Sequence, residues 1–268
     1  MGLELFDLSD RIAVVTGAGR GIGKSIALGL AEAGAHVVVA ARTVSQIEET
    51  AEEITRLGRK SLAIPTDMQY AEPVENLISA TMKEFKRIDI MVNNAGGNFY
   101  RPFADMTERA WDALMREDLK SVFLGTSTAG KLMLEQKQGS IINVASAAGF
   151  IPFPGMVHYA TAKAAVIHFT RSLAHEWAPF NIRVNGIAPG FIETPGVTDF
   201  VNALKDTRPE MADEFMSNIA MKRMGRPDEI KGLAIFLASD ASSYITGVTV
   251  EITGGMTKFL SGLGDGDS

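Results

Sequence analysis

"IAVVTGAGRGIGKSIALGLAEAG", residues 12–34, runs from a short apolar segment through a glycine-rich turn into a helical pattern. Ile12 to Thr16 reads as a buried strand, and the residues from Gly21 read as a helix ending at Gly34. A strand, glycine turn and helix in succession let backbone approach a phosphate while the helix N-terminus supplies positive potential. Two familiar phosphate-binding patterns nearly fit. Gly-x-Gly-x-x-Gly from Gly17 needs glycine where Ile22 stands, and a P-loop ending in Gly23-Lys24-Ser25 needs glycine at Ala18. The pattern that does fit is Thr-Gly-x-x-x-Gly-x-Gly over 16–23. Thr16, Gly17, Gly19, Arg20, Gly21, Ile22 and Gly23 are thus candidate cofactor-binding residues, the alternative being a tight turn with no ligand.

The same rhythm continues outward. Apolar runs at 36–40, 61–64, 88–94, 140–146, 182–188 and 247–252 read as strands. Between them lie helical patterns, including one with Ile47, Ala51 and Ile54 on one face and a long one from about Thr107. Others run through Trp177 and from Pro227. Strands apolar on both faces, alternating with amphipathic helices, predict a parallel sheet covered on both sides. The expected fold is α/β, a Rossmann-type doubly wound parallel sheet in one three-layer α/β/α domain spanning 1–268. Ligands on such sheets bind at the carboxyl ends of the strands. Residues 190–226 break the rhythm and read as a substrate-binding insertion or lid. Phe200, Val201, Leu204, Phe215 and the methionines 211, 216, 221 and 224 make it apolar. The tail 261–268 is rich in glycine and aspartate and reads as frayed.

With 268 residues the chain can bury a core without staples, and its lack of cysteine excludes disulfides and thiolate chemistry. A net charge of −6 argues against a nucleic-acid partner. The start, "MGLELFDLSD", is acidic where a signal peptide is basic, and Phe6 stands where myristoylation wants a hydroxyl. No apolar run is long enough to span a membrane. His36, His158, His168 and His175 lack metal-ligand spacing, so no metal is expected. A cytoplasmic location is expected.

"HYATAK" (158–163) places Tyr159 and Lys163 four residues apart, on one face of a helix. Together with the glycine turn it resembles the short-chain dehydrogenase/reductase family, and the likeness covers about residues 8–256. "NNAG" (93–96) is similar to that family's motif after strand four, bringing Asn94, Ala95 and Gly96 to the cofactor cleft. Asp67, with Met68 beside it, matches the acid that contacts adenine. Pro189, Gly190, Ile192 and Thr194 match the segment gripping the nicotinamide carboxamide. Ser146 lies thirteen residues before Tyr159, as the family's catalytic serine does. Tyr159 and Lys163 are therefore both catalytic and cofactor-binding candidates, Lys163 through the nicotinamide ribose.

Reduction of a ketone needs hydride at carbon and a proton at oxygen. A phenol with a pKa of about 10 exchanges poorly at neutral pH, and Lys163 beside Tyr159 is expected to lower that value. Ser146 can donate to the substrate oxygen as charge develops. Strand two ends in Ala40-Ala41-Arg42-Thr43, with no acid to accept from a ribose 2′-hydroxyl, so Arg42 and Arg20 favour a 2′-phosphate. NADP(H) is the preferred cofactor, with NAD(H) as the alternative. The family's catalytic asparagine, seven residues after Trp111, is replaced by Asp118. A buried carboxylate there would stabilise Lys163 as a cation, or else take up a proton itself and become a donor.

The expected activity is hydride transfer between NADP(H) and a carbonyl or secondary alcohol, on a largely apolar small molecule. An enoyl- or dienoyl-CoA reductase, a catalytically silent nucleotide-binding protein and a P-loop NTPase are the rivals. Family resemblance also implies a homotetramer pairing the helices at about 107–135 and 155–178. Val166, Ile167, Phe169 and Leu173 exceed what one buried face of that second helix needs.

Overall fold

The computed structural model describes residues 4–207, 210, 213 and 216–256. The side chains of Phe200 and Leu204, residues Met211 and Phe215, and the tail 261–268 lie outside the described set. Seven parallel strands form one sheet in the order β3-β2-β1-β4-β5-β6-β7. They are β1 (Ile12–Thr16), β2 (His36–Ala41), β3 (Ser61–Pro65), β4 (Ile90–Asn93), β5 (Gly139–Val144), β6 (Ile182–Pro189) and β7 (Thr249–Ile252). Every residue of β1, β4 and β5 is buried, which is why these runs carry no polar alternation.

Helices cover both faces. One face packs α1 (Gly21–Glu32), α2 (Val44–Arg56) and α8 (Lys231–Ala238) around Ile26, Leu30, Ile47 and Leu237. The other packs α3 (Ala71–Phe85), α5 (Ser121–Gln136) and α6 (Val157–Trp177) around Leu77, Met91 and Met133. Chain direction reverses its progress across the sheet between β1 and β4, and this switch opens a crevice at the strands' carboxyl ends.

The long helix from about Thr107 is present, capped by Thr107 and running as α4 (Glu108–Met115) and α5 through a π turn at Arg116–Lys120 that the spacing did not foresee. Single π turns inside helices concentrate at functional sites, and this one carries Asp118. One expectation needs correction: the apolar residues of α6 are not surplus. Val166 and Ile167 are buried in the protomer's own core, and Phe169 and Leu173 pack against it. Phe123 and Val157 are exposed large apolar side chains on these helices.

The insertion after β6 begins with α7 (Pro195–Thr207). Val201 and Ile219 from it are buried with Phe153 and Met156, and Met216 and Met224 pack at the margin of that cluster. Among the described residues no helix is long and apolar enough to cross a membrane.

Candidate active site

The turn after β1 depends on glycine at two positions. Gly17 has φ +64°, and a Cβ on Gly23 would collide with the Gly17 carbonyl oxygen and the Asn94 amide nitrogen. Helix α1 therefore starts hard against β1, with no side chain capping its first turn. Gly21, Ile22 and Gly23 of that turn line the crevice, where a helix N-terminus suits an anion. Lys24 and Ser25 point elsewhere: Lys24 pairs with Glu49 and Glu53 at 2.8 and 2.9 Å, and Ser25 donates to Asp228 at 2.8 Å. With those side chains committed, the P-loop NTPase reading has no support.

Asn94 closes the turn from β4. Its Nδ2 donates to the Thr16 carbonyl at 2.9 Å, while the backbone N–H groups of Asn94 and Ala95 both donate to Thr16 Oγ1 at 3.0 Å. Behind it, Asn93 donates to Thr126 and Asn143, and Asn143 to Thr170, each at 2.9 Å. These buried bonds fix α5 and α6 to the sheet, and so fix whatever those helices carry.

The resulting cleft has a volume of about 640 Å³. Gly17, Gly19, Arg20, Gly21, Ile22 and Gly23 line one side, and Arg42, Asp67 and Met68 line the end beyond β2 and β3. Asn94, Ala95, Gly96 and Thr194 complete it. Thr16 is buried behind the turn rather than in the cleft. Pro189 ends β6, and Gly190 donates from its backbone to the Ile252 carbonyl at 2.9 Å. The side chain of Ile192 is buried in the main core. The glycines that a Cβ would block and the uncapped helix end suit a dinucleotide's phosphates.

Beside Gly96 and Asn98 of the cleft wall stand the residues read from the sequence as catalytic. Tyr159 lies half-buried on α6, and the Lys163 ammonium sits 5.6 Å from its ring centre. Lys163 is buried, donates to the Val144 carbonyl at 3.2 Å, and lies 2.9 Å from Asp118 Oδ1. Asp118 is fully buried, and its other oxygen accepts from the Gly97 N–H at 3.4 Å. Gly96 admits both: a Cβ there would stand 2.6 Å from Asp118 Oδ1 and 3.4 Å from Lys163 Nζ. Ser146, half-buried after β5, accepts from the Ala148 N–H at 3.2 Å.

Lys163 acts on Tyr159 in the expected direction, lowering its pKa, but burial outweighs it. Burial pushes the phenol above its ordinary value, and the Asp118 carboxylate adds to that push. Lys163 and hydrogen bonding with Ser146 and Asn98 oppose it without prevailing. The physical reason is burial, which disfavours the charged phenolate by more than the lysine's charge favours it. Lys163 itself is held above the usual range: burial disfavours its charge, but Asp118 and Tyr159 more than offset that.

Two neighbours escaped the sequence reading. Asn98 reaches the Tyr159 hydroxyl, and Glu117 lines the cleft. Asn98 lies just past "NNAG", whereas Glu117 meets its partner Arg42 from 75 residues away and left no local sign.

A parallel sheet with a glycine-walled crevice at its switch point, and a buried Lys beside a Tyr at its edge, defines a Rossmann-type oxidoreductase. Residues 17–257 match a family model described as "Enoyl-(Acyl carrier protein) reductase". The 3-oxoacyl-[acyl-carrier-protein] reductase of Synechocystis is 41% identical over 254 residues, covering 94% of this chain and 99% of that one. A 7α-hydroxysteroid dehydrogenase complexed with NADH and 7-oxoglycochenodeoxycholic acid superposes with TM-score 0.91 at 31% identity, covering 97% of this chain and 100% of that one. An Agrobacterium tumefaciens structure with bound NADP gives 0.84 at 35% identity, covering 94% and 98%. The chain belongs to the short-chain dehydrogenase/reductase family.

Proposed function

We propose that this oxidoreductase reduces a carbonyl to a secondary alcohol with NADPH, and that its substrate class is the 3-oxoacyl thioester. The observation that carries the reading is the convergence of Ser146, Tyr159 and the Lys163–Asp118 pair at one edge of the cleft. A bound nicotinamide supplies the hydride. Tyr159 gives its proton to the carbonyl oxygen, and Ser146 donates a hydrogen bond there as negative charge builds. Lys163 steadies the phenolate left behind, and Asp118 holds Lys163 in place and charged. Burial favours the protonated phenol that donates, and Lys163 favours the phenolate that donation leaves.

Phe153, Met156, Phe191 and Val201 pack beside Tyr159, which suits an apolar acyl chain and supports the lid reading of 190–226. Arg20 and Arg42 both line the cleft, and no acid ends β2, which supports NADP(H). The solved neighbours hold NADH in one case and NADP in another, so this chain's own residues must carry the choice. The test is NADPH and NADH oxidation with 3-oxoacyl thioesters, simple ketones, hydroxysteroid ketones and enoyl thioesters. Fastest NADPH oxidation with the 3-oxoacyl thioester supports the reading. Turnover of enoyl thioesters alone transfers it to the enoyl reductase that the matched model names. Cofactor binding without any turnover transfers it to a silent nucleotide-binding protein.

A further inference from the structure

Two acids follow one another in the π turn and take different places. Asp118 is buried against Lys163, while Glu117 lies along the cleft wall facing β2. A Cβ on Gly97 would stand 3.1 Å from the Glu117 carboxyl atoms, so the carboxylate lies close against this glycine. From there the side chain crosses to the end of β2, where Arg42 Nη2 donates to Glu117 Oε1 at 3.3 Å.

We propose that Glu117 is a specificity-determining residue of the cofactor site, its carboxylate competing with a cofactor 2′-phosphate for Arg42. The proposal rests on the reading of Arg42 as the phosphate partner. A carboxylate and a phosphate ask for the same guanidinium donors. A ribose 2′-hydroxyl makes no such conflict, because it can donate to Glu117 while Arg42 stays paired. Arg42 and Glu117 thus present a basic and an acidic partner at one spot, and Glu117 narrows the preference for NADP(H) over NAD(H).

The surroundings sharpen the competition. Arg42 and Lys163 are the cations acting on Glu117, and Asp118 and Asp67 are the anions. Burial pushes the Glu117 carboxyl up, Arg42 and Lys163 pull it down, and the two aspartates push it further up. An incoming phosphate would be a further negative group in a place already crowded with them. The effect is bounded, because the Arg42 side chain is 64% exposed and water screens the pair.

The experiment is equilibrium binding of NADPH and of NADH to the intact protein by nicotinamide fluorescence. It compares wild type, Glu117→Gln, Arg42→Ala and the double variant. Glu117→Gln is expected to tighten NADPH about fivefold while NADH binding stays unchanged or weakens. In the Arg42→Ala background the same change should give a smaller gain, because the contested donor is gone. An unchanged ratio of the two affinities in Glu117→Gln, with Arg42→Ala still weakening NADPH, overturns the role of Glu117 alone. Unaltered NADPH binding in Arg42→Ala overturns the Arg42 reading and this proposal with it. Retained NADH binding certifies that each variant is folded.

Discussion

Tyr159 keeps its proton further up the pH scale than a free phenol does, because burial and the Asp118 carboxylate act on it together. The sign of a mutation follows. Asp118→Asn removes a negative charge that favours the protonated phenol, so Tyr159 should ionise at lower pH. Alcohol oxidation, which needs the phenolate, should then reach its plateau at lower pH than in wild type. Ketone reduction, which needs the phenol, should begin to fall at lower pH as well. The check is kcat/KM in both directions between about pH 6 and 10. Superimposable profiles would make Asp118 a passive replacement. Asp118→Ala tests the pair differently: it leaves the buried Lys163 ammonium uncompensated, and should lower stability by about 3–5 kcal/mol in denaturant unfolding. A loss under about 1 kcal/mol would mean that Lys163 had simply given up its proton.

At the scale of elements, the β1–α1 unit was legible because both its signals are local. A five-residue strand buried on both faces must be apolar apart from groups with bonded partners, as Thr16 has, and the turn after it needs glycine at Gly17 and Gly23. Gly23→Ala tests that unit, since the new methyl would meet backbone at Gly17 that has no room to retreat. It is expected to cost about 1–3 kcal/mol of stability and to weaken NADPH binding, read by thermal unfolding and by fluorescence. The face shared by Tyr159 and Lys163 was legible for the same reason, as four-residue spacing fixes it within one helix. The π turn at 116–120 was not, because Leu114 and Val122 keep an apolar pattern compatible with an unbroken helix. Nothing local marks the wider turn; its two acids find their partners on α6 and at the end of β2. Asn98 and Glu117 were missed on the same ground, since their contacts cross between elements.

For the whole molecule, alternating strands and helices imply a doubly wound parallel sheet, and so the position of the cleft at the strands' carboxyl ends could be foreseen. How the insertion beyond β6 packs could not, because its burial of Val201 and Ile219 depends on Phe153 and Met156 from another loop. Assembly belongs to this scale too. We expect a homotetramer from family membership, with Phe123 on α5 and Val157 on α6 available for contact between copies. Light scattering at micromolar concentration should return four chain masses, and a monomer mass would refute it.

The central claim is that Tyr159 donates the proton in carbonyl reduction. The most direct measurement compares wild type with Tyr159→Phe, using NADPH and the 3-oxoacyl thioester, with NADPH affinity measured on both. The account predicts that kcat falls by about 10²- to 10⁴-fold while NADPH binding holds within about threefold. Turnover by Tyr159→Phe equal to that of wild type would contradict it.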